Sequence, residues 1–206
     1  MAVEWEMLEK NVLSRISLFK VDNQVENYLD EEQLKRLLQV LHTDKNRMTC
    51  MVMLFLLSTG ARLNEALSAK WSQIDVENRV WVISAKTSKS KRVRSIPLNQ
   101  SSLDVLAQLG TEEHKYLFMS NRSDTHLKEV RTGWKSLREK AGLPHLRIHD
   151  LRHSFASFLV NNGRTLYEVQ QILGHSVPTV TQRYSHLSAK TLLSATDAAS
   201  NCISAA

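Results

Sequence analysis

The amino-acid sequence predicts an α+β chain, mainly α-helical with one small antiparallel β-sheet. Apolar residues recur at helical spacing in several segments between residues 31 and 173. Two short β-branched stretches, RVWVIS (79–84) and RVRSIPL (92–98), flank a polar run, AKTSKSK. The breakers GLP, NNGR and GHSVPT separate the later helical patterns. At 206 residues the chain is long enough for one domain with a substantial core and marginal for two.

Trp5, Leu8, Val12 and Ile16 space helically before VDNQVEN loses the period, so residues 1–28 read as the remnant of an upstream helix plus a linker. Asp30 is placed to cap a helix with Gln33 three residues on, and Leu34, Leu37, Leu38 and Leu41 give that helix one apolar face. MTCMVMLFLLS is apolar nearly all round and runs to Gly60, the pattern of a central buried helix with a glycine C-cap. A short helix follows around Asn64 to Lys70, then a β-hairpin with a lysine-rich tip. Helices return from Ser101 onward, notably around Val130–Lys140, Asp150–Asn161 and Leu166–Leu173.

Composition narrows the function. The 27 Lys and Arg exceed the 21 Asp and Glu, a net +6 that suits a polyanionic partner without identifying it. Cys50 and Cys202 fit neither a disulfide framework nor a clustered metal site. The N-terminus lacks an apolar signal core, and Met51–Leu57 is too short to span a bilayer, so a soluble protein of a reducing, cytoplasmic compartment with no membrane contact is expected.

The chemistry-bearing residues fall in ordered segments. In STGARLNEAL, Arg62 stands at a turn into a helix, where backbone donors and a guanidinium can converge on a phosphate. In the hairpin tip, Lys86, Lys89, Lys91 and Arg92 crowd together; a DNA contact and a flexible charged turn explain them equally well. In RIHDLRHSFASFL, Ile148, Leu151, Phe155, Phe158 and Leu159 form an apolar face, with His149 and Arg152 one turn apart on its flank. A rival zinc reading of His145, His149 and His153 lacks an HExxH, and Pro144 separates His145 from the helix. In QQILGHSVPTVTQRYSHL, His175 follows a Leu-Gly helix stop, with Tyr184 nine residues later.

The ordered set TGARLNEAL, AKTSKSKRVRSIPL, IHDLRHSFAS and LGHSVPTVTQRYSHL resembles the catalytic domain of tyrosine recombinases of the phage integrase type, over roughly residues 28–187. The resemblance implies the tyrosine recombinase catalytic fold over 29–187 and a 188–206 tail that either frays or docks on a neighbouring protomer. It implies Arg62 and Arg152 as phosphate-clamping arginines, Lys86 as the hairpin lysine with Lys89 as the alternative, His149 and His175 as the histidines, Tyr184 as nucleophile and Glu65 in support. Lys89, Lys91 and Arg92 would contact DNA. The expected activity is site-specific recombination of double-stranded DNA through a 3′-phosphotyrosine, in integration or excision of a phage or mobile element. A homotetramer on paired sites and accessory DNA-bending proteins are the expected partners.

These residue types suit the reaction. Two guanidinium groups and histidine donors can stabilise the charge that develops on a phosphodiester attacked in line. A phenol with a pKa of about 10 needs a base or a strong positive field, and His149 is the expected base. A lysine on a hairpin tip can protonate the departing 5′-oxygen. Because the phosphate is conserved as a tyrosine ester, no cofactor is expected, neither ATP nor metal. The rival functions are a topoisomerase-like nicker and a DNA-binding regulator that no longer cuts.

Overall fold

The computed structural model describes residues 3–11, 27–84, 93–110, 114–120, 123–174, 181 and 184. Helix α1 (Glu31–Thr43) begins at Asp30, whose Oδ1 accepts from Gln33 N (2.8 Å) while Gln33 Oε1 accepts from Asp30 N (3.1 Å). This reciprocal cap satisfies two donors that a helix start leaves open. Leu37 and Leu41 on its inner face are fully buried. Helix α2 (Arg47–Thr59) is buried on every side and packs against α1, α3, α4 and α6. It ends as expected at Gly60, whose φ of 63° is a left-handed conformation that glycine adopts without penalty.

The short helix α3 (Leu63–Leu67) stops before Lys70, earlier than expected, because the chain there turns into an isolated bridge between Lys70 and Tyr116 and a 3-10 turn at Trp71–Gln73. The expected hairpin is present: β2 (Val80–Ile83) pairs antiparallel with β3 (Arg94–Pro97), with Trp81 opposite Ile96 and Ile83 opposite Arg94. Its tip, residues 85–92, lies outside the described residues. Two features have no periodic signal because they are too short to show one: β1 (Ile74–Asp75), which adds a third strand, and the ribbon of β4 (Met119–Ser120) with β5 (Ser123–His126).

Helices α4 (Gln100–Leu109), α5 (Arg131–Lys140), α6 (Ile148–Asn161) and α7 (Leu166–Leu173) follow the predicted pattern closely. One core runs from α1 and α2 to the sheet, where Phe55 meets Trp81 (ring centroids 5.4 Å apart) and Phe118 (5.7 Å). A second, smaller core joins α6 and α7 through Ala156, Val160, Val169, Leu173 and Tyr184. The N-terminal expectation needs correction. Residues 3–11 form turns and bends, not a helix, and Trp5, Met7 and Leu8 are exposed. Helical spacing over so few residues does not sustain a helix when nothing packs on its apolar face. Val12 and Ile16 lie outside the described residues.

Gly60 is the joint between the two cores. A Cβ there would overlap Phe155 Cδ1 and approach Leu173 Cδ2 to 2.8 Å, whereas Gly163, also at positive φ (79°), faces open space. Gly60→Ala should therefore cost about 2–4 kcal/mol in urea unfolding, from backbone strain and overpacking together. Gly163→Ala should show the strain alone, and equal losses at the two positions would refute the packing argument.

Candidate active site

The site forms where the C-terminal ends of α2 and α7 meet the N-terminal half of α6. Arg152, only 4% exposed, donates from Nη1 to the Gly60 carbonyl (2.5 Å) and from Nη2 to the Leu173 carbonyl (2.8 Å). Both carbonyls belong to helix ends that lack intrahelical partners and carry partial negative charge. α6 itself is started by Arg147 and Asp150. Asp150 Oδ2 accepts from Arg147 N (2.7 Å), and Oδ1 accepts from Arg147 Nη2 (2.7 Å), so the fully buried Asp150 of IHDLRH serves the helix start.

Arg62 precedes α3, and Glu65 folds back on it: Oε1 accepts from Arg62 Nη1 (3.0 Å) and Oε2 from Arg62 N (3.0 Å). Glu65 is 4% exposed. On its other side Arg94 Nη2 lies 3.4 Å from Oε2, an ion pair not aligned as a hydrogen bond. Arg94 Nη1 donates to the Leu173 carbonyl that also holds Arg152. Two guanidinium groups thus share the Glu65 carboxylate while Arg152 beside them is met by backbone carbonyls, leaving an excess of positive charge. Burial, and then Arg62 and Arg94, pull the Arg152 pKa down to about 9.

His149 sits one turn before Arg152. It keeps an exposed surface, yet its imidazole is held below its ordinary 6.5, first by the atoms packed around it and second by Arg152. A pKa moved below 6.5 means that the neutral ring dominates at pH 7, in the form that accepts a hydrogen bond. Its ring meets that of His153 edge-on at 4.7 Å. His153 in turn bonds Tyr184: Nδ1 and the phenolic oxygen are 2.5 Å apart. Tyr184 is 4% exposed in the second core and close enough to Arg152 to bear on its charge.

Of the residues expected from sequence, Arg62, Glu65, His149, Arg152 and Tyr184 converge here, while Lys86, Lys89, Lys91, Arg92 and His175 lie outside the described residues. Sequence reasoning missed His153 as a partner of Tyr184, and it missed Arg94. A signal for Arg94 existed: the two-residue period of β3 puts it in phase with the fully buried Ile96. Also missed was a cleft of about 510 Å³ beside His149 and Arg152, lined by Arg131, Lys135, Arg138 and Arg147 over an apolar floor. A larger opening of about 820 Å³, between α1, α2, α4 and α6, is mostly apolar and holds none of these site residues. Among the described residues no three His, Cys, Asp or Glu side chains gather as metal ligands, and no helix is long and apolar enough to cross a membrane.

Helices around a small antiparallel sheet, with an arginine held between two helix ends and a tyrosine in the adjoining small core, form the tyrosine recombinase catalytic fold. The chain belongs to the phage integrase family, whose profile matches residues 27–191. It is 30% identical over 196 residues to the integrase of Salmonella phage P22, covering 89% of this chain and 49% of the relative. The catalytic domain of bacteriophage HP1 integrase superposes with a TM-score of 0.65 at 28% identity, covering 82% of this chain and 93% of that one. The XerH site-specific recombinase, solved in a post-cleavage complex with a palindromic difH substrate, gives a TM-score of 0.70 at 25% identity, covering 89% of this chain and 57% of that one. The chain therefore spans about half the length of the P22 relative.

The charge assignment is open to direct measurement. By NMR the His149 ring should titrate below 6.5, and Arg152→Met, with its fold verified by amide shifts, should raise the midpoint without returning it to 6.5, because burial remains. A midpoint that does not move would remove Arg152 as a cause.

Proposed function

We propose that residues 29–187 are the catalytic domain of a site-specific DNA recombinase that cuts and rejoins strands through Tyr184. The observation that carries this reading is the convergence of Tyr184 with the helix-end-anchored Arg152 and the Arg62–Glu65 pair. An anion-binding site needs no buried phenol, and a phenol held for packing alone needs no surrounding guanidinium groups.

In the proposed reaction the Tyr184 oxygen attacks the scissile phosphorus and loses its proton to an imidazole, with His149 as the expected acceptor. The P–O5′ bond breaks as the O–P bond to tyrosine forms, and the departing 5′-oxygen takes a proton from Lys86, or from Lys89 if that lysine occupies the position. Arg62, Arg152 and His175 stabilise the non-bridging oxygens, whose charge grows in the transition state. Attack by a DNA 5′-hydroxyl reverses the steps, so the phosphoester is retained and no cofactor is consumed.

Double-stranded DNA is the partner that the +6 charge and the basic cleft beside His149 support, and the DNA-bound XerH neighbour supports it as well. Integration or excision of a phage or mobile element is the task suggested by kinship with the P22 integrase. The reading extends to a homotetramer on paired sites, with accessory DNA-bending proteins and the 188–206 tail as a docking element, acting in the cytoplasm at the nucleoid.

The test is incubation with supercoiled DNA carrying the gene's own flanking sequence, quenched in denaturing detergent. Wild type should yield protein-linked nicked DNA, and Tyr184→Phe none, with salt-sensitive binding retained. Arg152→Ala should slow single-turnover cleavage by about 10²–10³-fold or more. Undiminished linkage by Tyr184→Phe would refute the mechanism.

A further inference from the structure

The structure assigns Arg94 as a further positioning residue of this site, an inference that rests on the proposed strand cleavage. Arg94 opens β3, yet its side chain is turned inward and only 9% exposed. Among the described residues it alone reaches both the carboxylate that holds Arg62 and the carbonyl that holds Arg152: Nη2 lies against Glu65 Oε2, and Nη1 donates to Leu173 O. Its stem runs over Gly174, where a Cβ would overlap Arg94 Cδ, so the α7 terminus closes directly onto it.

Arg94 is poorly satisfied as a purely structural group. Its Nε and Nη2 are buried without an aligned hydrogen-bond acceptor, and a buried donor left in that state destabilises the fold. Removing one member of a buried ion pair leaves the other charge less compensated, yet Glu65 keeps Arg62 as a partner, so an apolar side chain of similar length at position 94 lowers stability without abolishing the fold. What the guanidinium does achieve is geometric. It pins one face of Glu65, leaving Oε1 and the far edge of Oε2 to orient Arg62, and it fixes the Leu173–Gly174 turn onto which Arg152 is docked. The backbone of Arg94 pairs with Ile83 where the two strands lead into residues 85–92, so the root of the hairpin is tied to the same carboxylate. A planar fork can hold two differently placed acceptors at once; a lysine ammonium on a flexible stem cannot.

Arg94→Met and Arg94→Lys decide the matter in the full chain. For Arg94→Met the melting temperature should fall while the chain stays folded at the assay temperature and keeps its DNA affinity, and first-order cleavage at saturating DNA should fall by about 10²-fold, the scale of a small misplacement of catalytic groups. Arg94→Lys, which keeps the charge but not the fork, should recover little of that loss. Met cleaving within about threefold of wild type, or Lys restoring full activity, would each overturn the proposal. A second readout does not depend on cleavage: the Nε–H signals of Arg62 and Arg152 should exchange with water faster in Arg94→Met, and unchanged exchange would refute the positioning role. If wild type forms no tyrosine-linked DNA, the reading of function fails, and the exchange measurement still judges Arg94.

Discussion

The burial of Arg152 between two helix ends is the interaction on which the rest of this site depends. A guanidinium taken out of water is tolerated only if its donors are met, and here Gly60 and Leu173 meet them with carbonyls that α2 and α7 leave unpaired. A carboxylate in that place would have cancelled the charge. Helix-end carbonyls contribute only partial charge, so Arg152 is held rigidly and remains available to an anion. The arrangement requires both helices to stop at one point, which is why each ends at a glycine in the left-handed conformation, Gly60 at φ 63° and Gly174 at φ 65°.

The same construction explains the electrostatics. Arg62, Arg94 and Arg152 stand around Glu65, and each additional positive charge disfavours its neighbours' charged forms. Arg94, Arg152 and His149 all have depressed pKa values with burial as the first cause. A phosphodiester entering this cluster would relieve the repulsion, so the folded chain is electrostatically prepared for a polyanion before one arrives. Tyr184 lies close enough to Arg152 to bear on its charge.

Packing determines how firmly the cluster is held. α2 lies inside the main core and fixes Gly60, whereas α7 belongs to the smaller core and is anchored by Val169 and Leu173 against α6. The smaller core also receives Tyr184, so one packing unit positions both the Leu173 carbonyl and the phenol. His149, Arg152 and His153 project from the first two turns of α6, whose start is clamped by Asp150 and whose inner face is fixed by Leu151. Helices thus carry Glu65, His149 and Arg152, with Arg62 at the start of α3, as a site of fixed charges needs.

Much of this was legible in the sequence because it is local. The cap of Asp30 and Gln33, the glycine stops, the apolar run of α2 and the spacing of His149 and Arg152 along one helix depend on residues a turn or less apart, where periodicity speaks directly. The order of motifs carried the family resemblance and hence Arg62, Glu65 and Tyr184. Periodicity misled at residues 3–11, where Trp5 and Leu8 have helical spacing but stay exposed. Only the tertiary structure decided that Glu65 is shared between Arg62 and Arg94, that Arg152 is held by backbone carbonyls distant in sequence, and that the Tyr184 hydroxyl bonds His153. Those contacts join residues as many as 92 positions apart. They arise from how four helices and a strand are packed, which no local pattern encodes.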